Sequence, residues 1–144
     1  MDLSGLGEVA AAEQGFVVVA TARADGTIQS SVVTAGLLPH PVSGAESIGF
    51  VTYGRAKLSH LRARPWATVT ARSGYRWVTA EGSVDLAGPD DRLPGVDPGD
   101  VPALLRRVFI AAGGTHDDWD AFDREMRVQR RAAVFLTPGR VYSN

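Results

Sequence analysis

The sequence predicts a mainly β domain: a six-stranded antiparallel barrel with helices at its periphery. Three observations carry that reading. Six segments are apolar runs or strict alternations rich in Val, Thr and aromatic residues. The first and second strands, and the fourth and fifth, are separated only by short turn signals, Ala24-Asp25-Gly26 and Ser73-Gly74. Helical periodicity is confined to a few short stretches and does not alternate with the strands, which argues against a parallel βαβ sheet. A length of 144 residues fits a single domain, 1–144, able to bury its own core.

The elements follow in order. Residues 3–13 read as a short amphipathic helix, with Leu3, Leu6, Val9 and Ala10 at helical spacing and Gly15 ending it. Phe16–Ala22 is an apolar, β-branched strand. The second strand, 27–37, carries Ile28, Ser30, Val32 and Thr34 on one face and Gln29, Ser31, Val33 and Ala35 on the other, so neither face is strongly apolar. Pro39, Pro41, Ser43 and Gly44 mark a loop, 47–53 a third strand, and 56–64 a short helix with Leu58 and Leu61 inward, stopped by Pro65. The strands 66–72 and 75–86 form a hairpin, which sets Tyr75 and Trp77 on one face. The Pro-, Gly- and Asp-rich stretch 87–99 reads as a long mobile loop, either a lid or a surface insertion. Asp100 caps a helix with Val101, Leu104, Leu105, Val108 and Ala112 in its stripe. Thr115 is expected to start another, with Trp119, Phe122 and Met126 on one face and Arg127, Arg130 and Arg131 at its end. The last strand, 132–136, is expected to bend at Pro138-Gly139 and finish near Val141-Tyr142.

Composition narrows the function. The chain has no cysteine, which removes disulfides, thiolate metal sites and cysteine nucleophiles. A net charge of −1 and a pI near 6.3 argue against nucleic acid as a partner. No apolar run is long enough to span a bilayer, and the start MDLSGLGEVA has no basic segment, so no membrane association and a cytoplasmic location are expected. His40, His60 and His116 form no H-x-x-x-H pair and none lies near a G-x-S-x-G elbow, so no metal site and no serine triad are expected. Neither a G-x-G-x-x-G nor a Walker A loop is present.

The informative stretch is Tyr53-Gly54-Arg55-Ala56-Lys57, where a strand gives way to a helix. Lys57 is the chain's one lysine. A helix N-terminus carries about half a unit of positive charge and unpaired N–H groups, so cations are disfavoured there. An anion resolves the conflict, because amides, dipole, Arg55 and Lys57 then converge on one phosphate or carboxylate. The alternative is that both side chains bend into solvent at small cost. Gln29, Ser30 and Ser31 offer polar groups among apolar neighbours, suited to lining a pocket for a flat heteroaromatic ligand or to an edge or dimer seam. Tyr75 and Trp77 could stack on a ring or belong to the core.

Taken together these segments resemble the pyridoxamine 5′-phosphate oxidase-like split β-barrels of FMN-binding type, and more closely the branch that binds the deazaflavin coenzyme F420. The resemblance runs from about Val9 to Tyr142 through GFVVVATARADGTIQSSVV, GRAKLSHLRARPWATV, WVTAEGSVDL, HDDWDAF and QRRAAVFLTPGRVY. It implies a six-stranded split barrel and a homodimer with two cofactor sites at the interface. It implies that Arg55, Ala56 and Lys57 hold the cofactor phosphate. By the same resemblance Gln29, Ser30, Ser31, Val32, Val51 and Thr52 run beside the ring. Tyr75 and Trp77 border the pocket, and Arg130 or Arg131 reaches it from the partner subunit. The implied activity is an oxidoreductase that uses reduced coenzyme F420 to transfer hydride to a small conjugated C=C or C=N substrate, with the cofactor carrying the chemistry and no catalytic side chain identified. FMN is the alternative cofactor, and a non-catalytic cofactor or tetrapyrrole binder the alternative class. The ending FLTPGRVYSN lacks the tryptophan- and arginine-histidine-rich signature of true pyridoxamine-phosphate oxidases. The acidic tail of F420 would need cations beyond Arg55 and Lys57, for which Arg62, Arg64 and Arg127–Arg131 are candidates.

Overall fold

The structure, a computed structural model, describes residues 2–144. Six strands close into one antiparallel barrel. They are β1 (Phe16–Ala22), β2 (Ile28–Pro39), β3 (Glu46–Thr52), β4 (Trp66–Ser73), β5 (Arg76–Ala87) and β6 (Ala132–Ser143), in the order β1-β2-β3-β6-β5-β4 with β4 returning to β1. Four helices surround it: α1 (Ser4–Ala12), α2 (Arg55–Ala63), α3 (Val101–Ala111) and α4 (Trp119–Val128). Closure gives every strand a neighbour on each side, but β2 pairs with β1 over residues 28–34 and with β3 only over 35–39, so β2 and β3 diverge beyond Ala35 and Phe50.

Local chemistry sets the register. The β1–β2 turn is held by the Asp25 carboxylate, which accepts from the Thr27 N–H and hydroxyl, while Gly26 supplies a φ of +86°. That turn aligns Val18 with Val32 and Ala20 with Ser30 across the pair. The barrel interior is filled by Val17, Val19, Ala35, Ile48, Phe50, Val69, Ala80, Val84, Val134 and Leu136, joined by Leu58 and Leu61 of α2 and by Leu3, Leu6 and Val9 at α1. Each large side chain so buried contributes roughly 1.5–3 kcal/mol.

A second apolar layer lies outside the barrel. Phe135, on the outer side of β6, packs with Leu104, Leu105 and Val108 of α3 and with Phe122 and Met126 of α4. Hence β6 reads as a continuous apolar run: both of its faces are covered. The approach of α3 to β2 is close enough that a Cβ at Gly36 would lie 1.9 Å from the Ala111 carbonyl oxygen, so only glycine fits. On the outer side of β1 and of the first half of β2, Phe16, Val18, Ile28 and Val32 remain exposed.

Several expectations change. Thr115 does not start α4: the helix begins at Trp119, capped by Asp118, whose carboxylate accepts from the Ala121 N–H. His116 instead turns the chain into the cap, its Nδ1 accepting from the Asp118 N–H. β6 runs unbroken from Ala132 to Ser143 instead of ending at residue 136 and resuming after a bend: ten of its residues pair with β5, and a bulge at Glu81/Gly82 absorbs the irregularity around Pro138. Tyr75 sits in the β4–β5 turn, 97% exposed, rather than on β5 beside Trp77. The 87–99 stretch is no free loop. A β-bridge joins Gly88 to Asp91, Leu93 and Val96 pack on the outer apolar layer, and a 3₁₀ turn at Pro98–Asp100 leads into α3.

Candidate functional site

α2 begins where β3 ends, and its first turn lacks the usual means of satisfying a helix start. Gly54 stands at the N-cap with no side chain to accept from the leading amides, and no acidic residue lies in the first turn. The first N–H groups of a helix have no partner within it, and they gather partial positive charge. Into that end the sequence adds two cations. Arg55 makes no ion pair or side-chain hydrogen bond among the described residues and lies exposed. Lys57 is buried, only 9% accessible, because it shares with Leu58 and Leu61 the face of α2 that meets the barrel.

Among the described residues the Lys57 ammonium has one hydrogen-bond partner and no carboxylate. Its Nζ lies 3.4 Å from Thr52 Oγ1, a long hydrogen bond. Burial pushes its pKa below the ordinary lysine value of 10.5. A second cation closes the space. The Arg131 guanidinium lies over the Tyr53 ring, 4.2 Å from its centre, with its Nε donating to Gln129 Oε1 at 2.6 Å. Burial lowers its pKa too, with Tyr53 and Glu125 acting in the opposite direction.

These groups line one open cleft of about 410 Å³. Its floor is backbone and small side chains of β2 and β3: Val32, Val33 and Thr34 on one strand, Val51 and Thr52 on the other. Its rim is Tyr53, Gly54, Lys57 and Arg131. The composition is that of a site for a flat molecule bearing an anion, with apolar and peptide groups along one side and two desolvated cations with open amides at one end. Past Tyr53 a second cleft of about 510 Å³ continues between α2 and the end of α4, lined by Arg55, Leu58, Arg62, Asp90 and Arg130 among others.

Four of the residues expected from the sequence come together in the first cleft. Val32, Val51, Thr52 and Lys57 line the first cleft together, with Ala56 on the exposed side of the same helical turn. Arg55 lines the second cleft. Others lie apart. Gln29 and Ser31 share the side of β2 that carries Val33 and Ala35 toward the barrel interior, and Gln29 Oε1 is buried without a hydrogen-bond partner. Ser30 faces outward and lines neither cleft. Trp77 meets Tyr142 edge-on, and its backbone N–H donates to Asn144 Oδ1. Of the two arginines considered, Arg131 lines the first cleft, whereas Arg130 points to Asp90 in the second. Gly54 and Tyr53 were not singled out as lining residues. An uncapped helix start preceded by an aromatic residue was the available signal.

No protein-family model and no curated protein matches the chain. Solved structures do. A conserved hypothetical protein from Mycobacterium tuberculosis superposes with a TM-score of 0.68 at 18% identity, over 99% of this chain and 84% of that one. A pyridoxamine 5′-phosphate oxidase-related, FMN-binding protein from Nostoc punctiforme gives 0.66 at 14% identity, over 97% and 81%. An F420 reductase gives 0.59 at 19% identity, over 88% of each chain. At such identities the likeness is one of architecture, and the chain has the fold of the pyridoxamine 5′-phosphate oxidase-like split barrels.

Proposed function

We propose that this chain is an oxidoreductase of the flavin-binding split-barrel kind that holds coenzyme F420, in preference to FMN, in the cleft at Lys57. The observation that carries the reading is a buried lysine with no carboxylate partner at the open N-terminus of α2. A desolvated ammonium beside uncapped amides is costly by itself and is offset when an anion joins it. The donor set fits a phosphorylated flavin-type cofactor. Lys57 and the leading amides of α2 would hold the phosphate, Arg131 would close over it, and Val32, Val51 and Thr52 would lie along the ring. Bound there, such a cofactor supplies two-electron reduction of a small conjugated C=C or C=N substrate. The protein's part is to orient the ring and keep water from it, and no side chain is assigned as proton donor.

Preference for F420 over FMN rests on the second cleft, where Arg55 makes no ion pair among the described residues and stands with Arg62 and Arg130, themselves held by Asp91 and Asp90, on the path of a ligand that continues past its phosphate as an acidic tail. A second copy of the chain completes the picture. Phe16, Val18, Ile28 and Val32 form one exposed apolar strip across β1 and β2, and Val32, 63% exposed, belongs to both strip and cleft. A partner copy covering that strip would also wall the cleft.

The test is tryptophan-fluorescence titration of the protein with coenzyme F420 and with FMN in parallel, followed by turnover of conjugated substrates with the reduced form of whichever binds. Tight binding of F420 with weak FMN binding is expected, together with a dimer by light scattering. Preference for FMN would move the chain to the flavin branch. Binding of neither would remove the cofactor reading.

A further inference from the structure

The second cleft holds a feature that cofactor binding alone does not require. Two consecutive carboxylates already occupy two of its three arginines. Asp91 accepts from Arg62 Nε and Nη2, both at 2.7 Å, in a two-pronged pair. Asp90 accepts from Arg130 Nε at 2.9 Å and from its Nη2 in the same forked manner. The guanidinium of Arg130 in turn holds the Asp90 carboxyl below the usual carboxylate range. Both aspartates sit in a short turn closed by Gly88 N–H to Asp91 C=O at 2.9 Å and Asp91 N–H to Gly88 C=O at 3.2 Å, which presents them side by side.

The arginines come from different elements, one near the end of α2 and one just past α4. Arg130 takes a left-handed φ of +51° at the position after a helix where glycine is favoured, so the chain accepts backbone strain to keep an arginine there. Arg55, in the same cleft, has no such carboxylate among the described residues.

We propose that Asp90 and Asp91 are specificity-determining residues of the tail subsite. Their carboxylates occupy the arginine forks that the second and later negative charges of a ligand would take, and so limit how much a longer acidic tail adds to affinity. The inference rests on the anion-binding reading of the Lys57 cleft and goes beyond it, because it assigns a discriminating role to residues that would never touch the phosphate or the ring. It follows from the two-pronged geometry, which a ligand carboxylate or phosphate can reproduce, and from the partial exposure of the Arg130–Asp90 pair, which keeps the exchange inexpensive.

The experiment compares the wild type with Asp90→Asn and Asp91→Asn. Affinities are measured for FMN, for F420 carrying one glutamate and for F420 carrying several, with tripolyphosphate as a probe that has no ring. Asp117→Asn, a fully exposed aspartate outside both clefts, controls for net charge. Thermal melting of each variant confirms folding, and Asp91→Asn is the second variant should Asp90→Asn melt early. The expected result is a gain of about fivefold for the long-tailed F420 and for tripolyphosphate, with FMN and the control changed less than about twofold. Equal gains for every ligand, or a loss of long-tail affinity, overturns the inference. Gains for tripolyphosphate with no binding of either flavin-type cofactor would uphold the subsite while removing the cofactor reading.

Discussion

At the start of α4 the sequence satisfies the helix by itself. Asp118 accepts from the Ala121 N–H, Asp120 lies in the first turn, and the dipole meets negative charge. At the start of α2 every one of those provisions is missing. Gly54 caps nothing, no acid follows, and Arg55 and Lys57 add charge of the wrong sign. Both helices fold against an apolar layer, so the contrast does not reflect how firmly each is packed. On the proposed function, the open N-terminus of α2 with a lysine buried beside it keeps an anion site at some cost in stability, whereas α4 has only to stay folded.

That contrast can be broken at either end. The largest effect is expected from Lys57→Ala, which should weaken binding of the phosphorylated cofactor at least about tenfold, near 1.4 kcal/mol. It should leave the melting temperature unchanged or higher, because a buried charge without a carboxylate has been removed. A large loss of stability with intact affinity would mean that Lys57 is a structural residue. Next is Asp118→Ala at α4, expected to cost about 1 kcal/mol in urea unfolding and to leave cofactor affinity unaltered.

Giving α2 what α4 has makes a third test. Gly54→Asp is sterically open, since a Cβ there meets nothing closer than 3.6 Å, and the backbone is already extended. The new carboxylate should raise stability by about 0.5–1 kcal/mol and compete with the cofactor phosphate, so affinity falls as the melting temperature rises. The smallest effect is that of pH. Burial holds the Lys57 pKa below 10.5, so between its folded value and 10.5 the unfolded chain binds more protons than the folded one. Stability attributable to Lys57 therefore increases as pH rises through that window. Anion affinity falls over the same window because the ammonium is lost, and Lys57→Arg should flatten the fall.

How much of this could be read without coordinates differs from residue to residue. The alternation in β4 and β5 and the Asp-Gly turn before β2 specify hairpins from neighbours two to five residues away. The charge conflict at Arg55 and Lys57 was equally local, and the cleft formed there. Which face of β2 points inward was not legible, since polar and apolar residues alternate weakly on both sides. The burial of Val33 and Ala35 decides it, and Gln29 and Ser31 follow. Arg130 and Arg131 are neighbours of equal charge, and only the left-handed turn at Arg130 sends one to Asp90 and the other over Tyr53. The 87–99 stretch looked unattached because its anchors are Arg62 and Arg130, 29 and 40 residues away.

By itself the sequence determined what depends on short-range chemistry: the strand periodicity, the turns, the helix stripes and the misplaced cations at the start of α2. The tertiary structure alone decided which face of β2 turns inward, the choice between two equivalent arginines, and the pairing of Asp90 and Asp91 with partners from other elements. The physical reason is range. Backbone preference and side-chain alternation act over a few residues, whereas burial and ion pairing depend on which distant segments the closed barrel brings within a few ångströms.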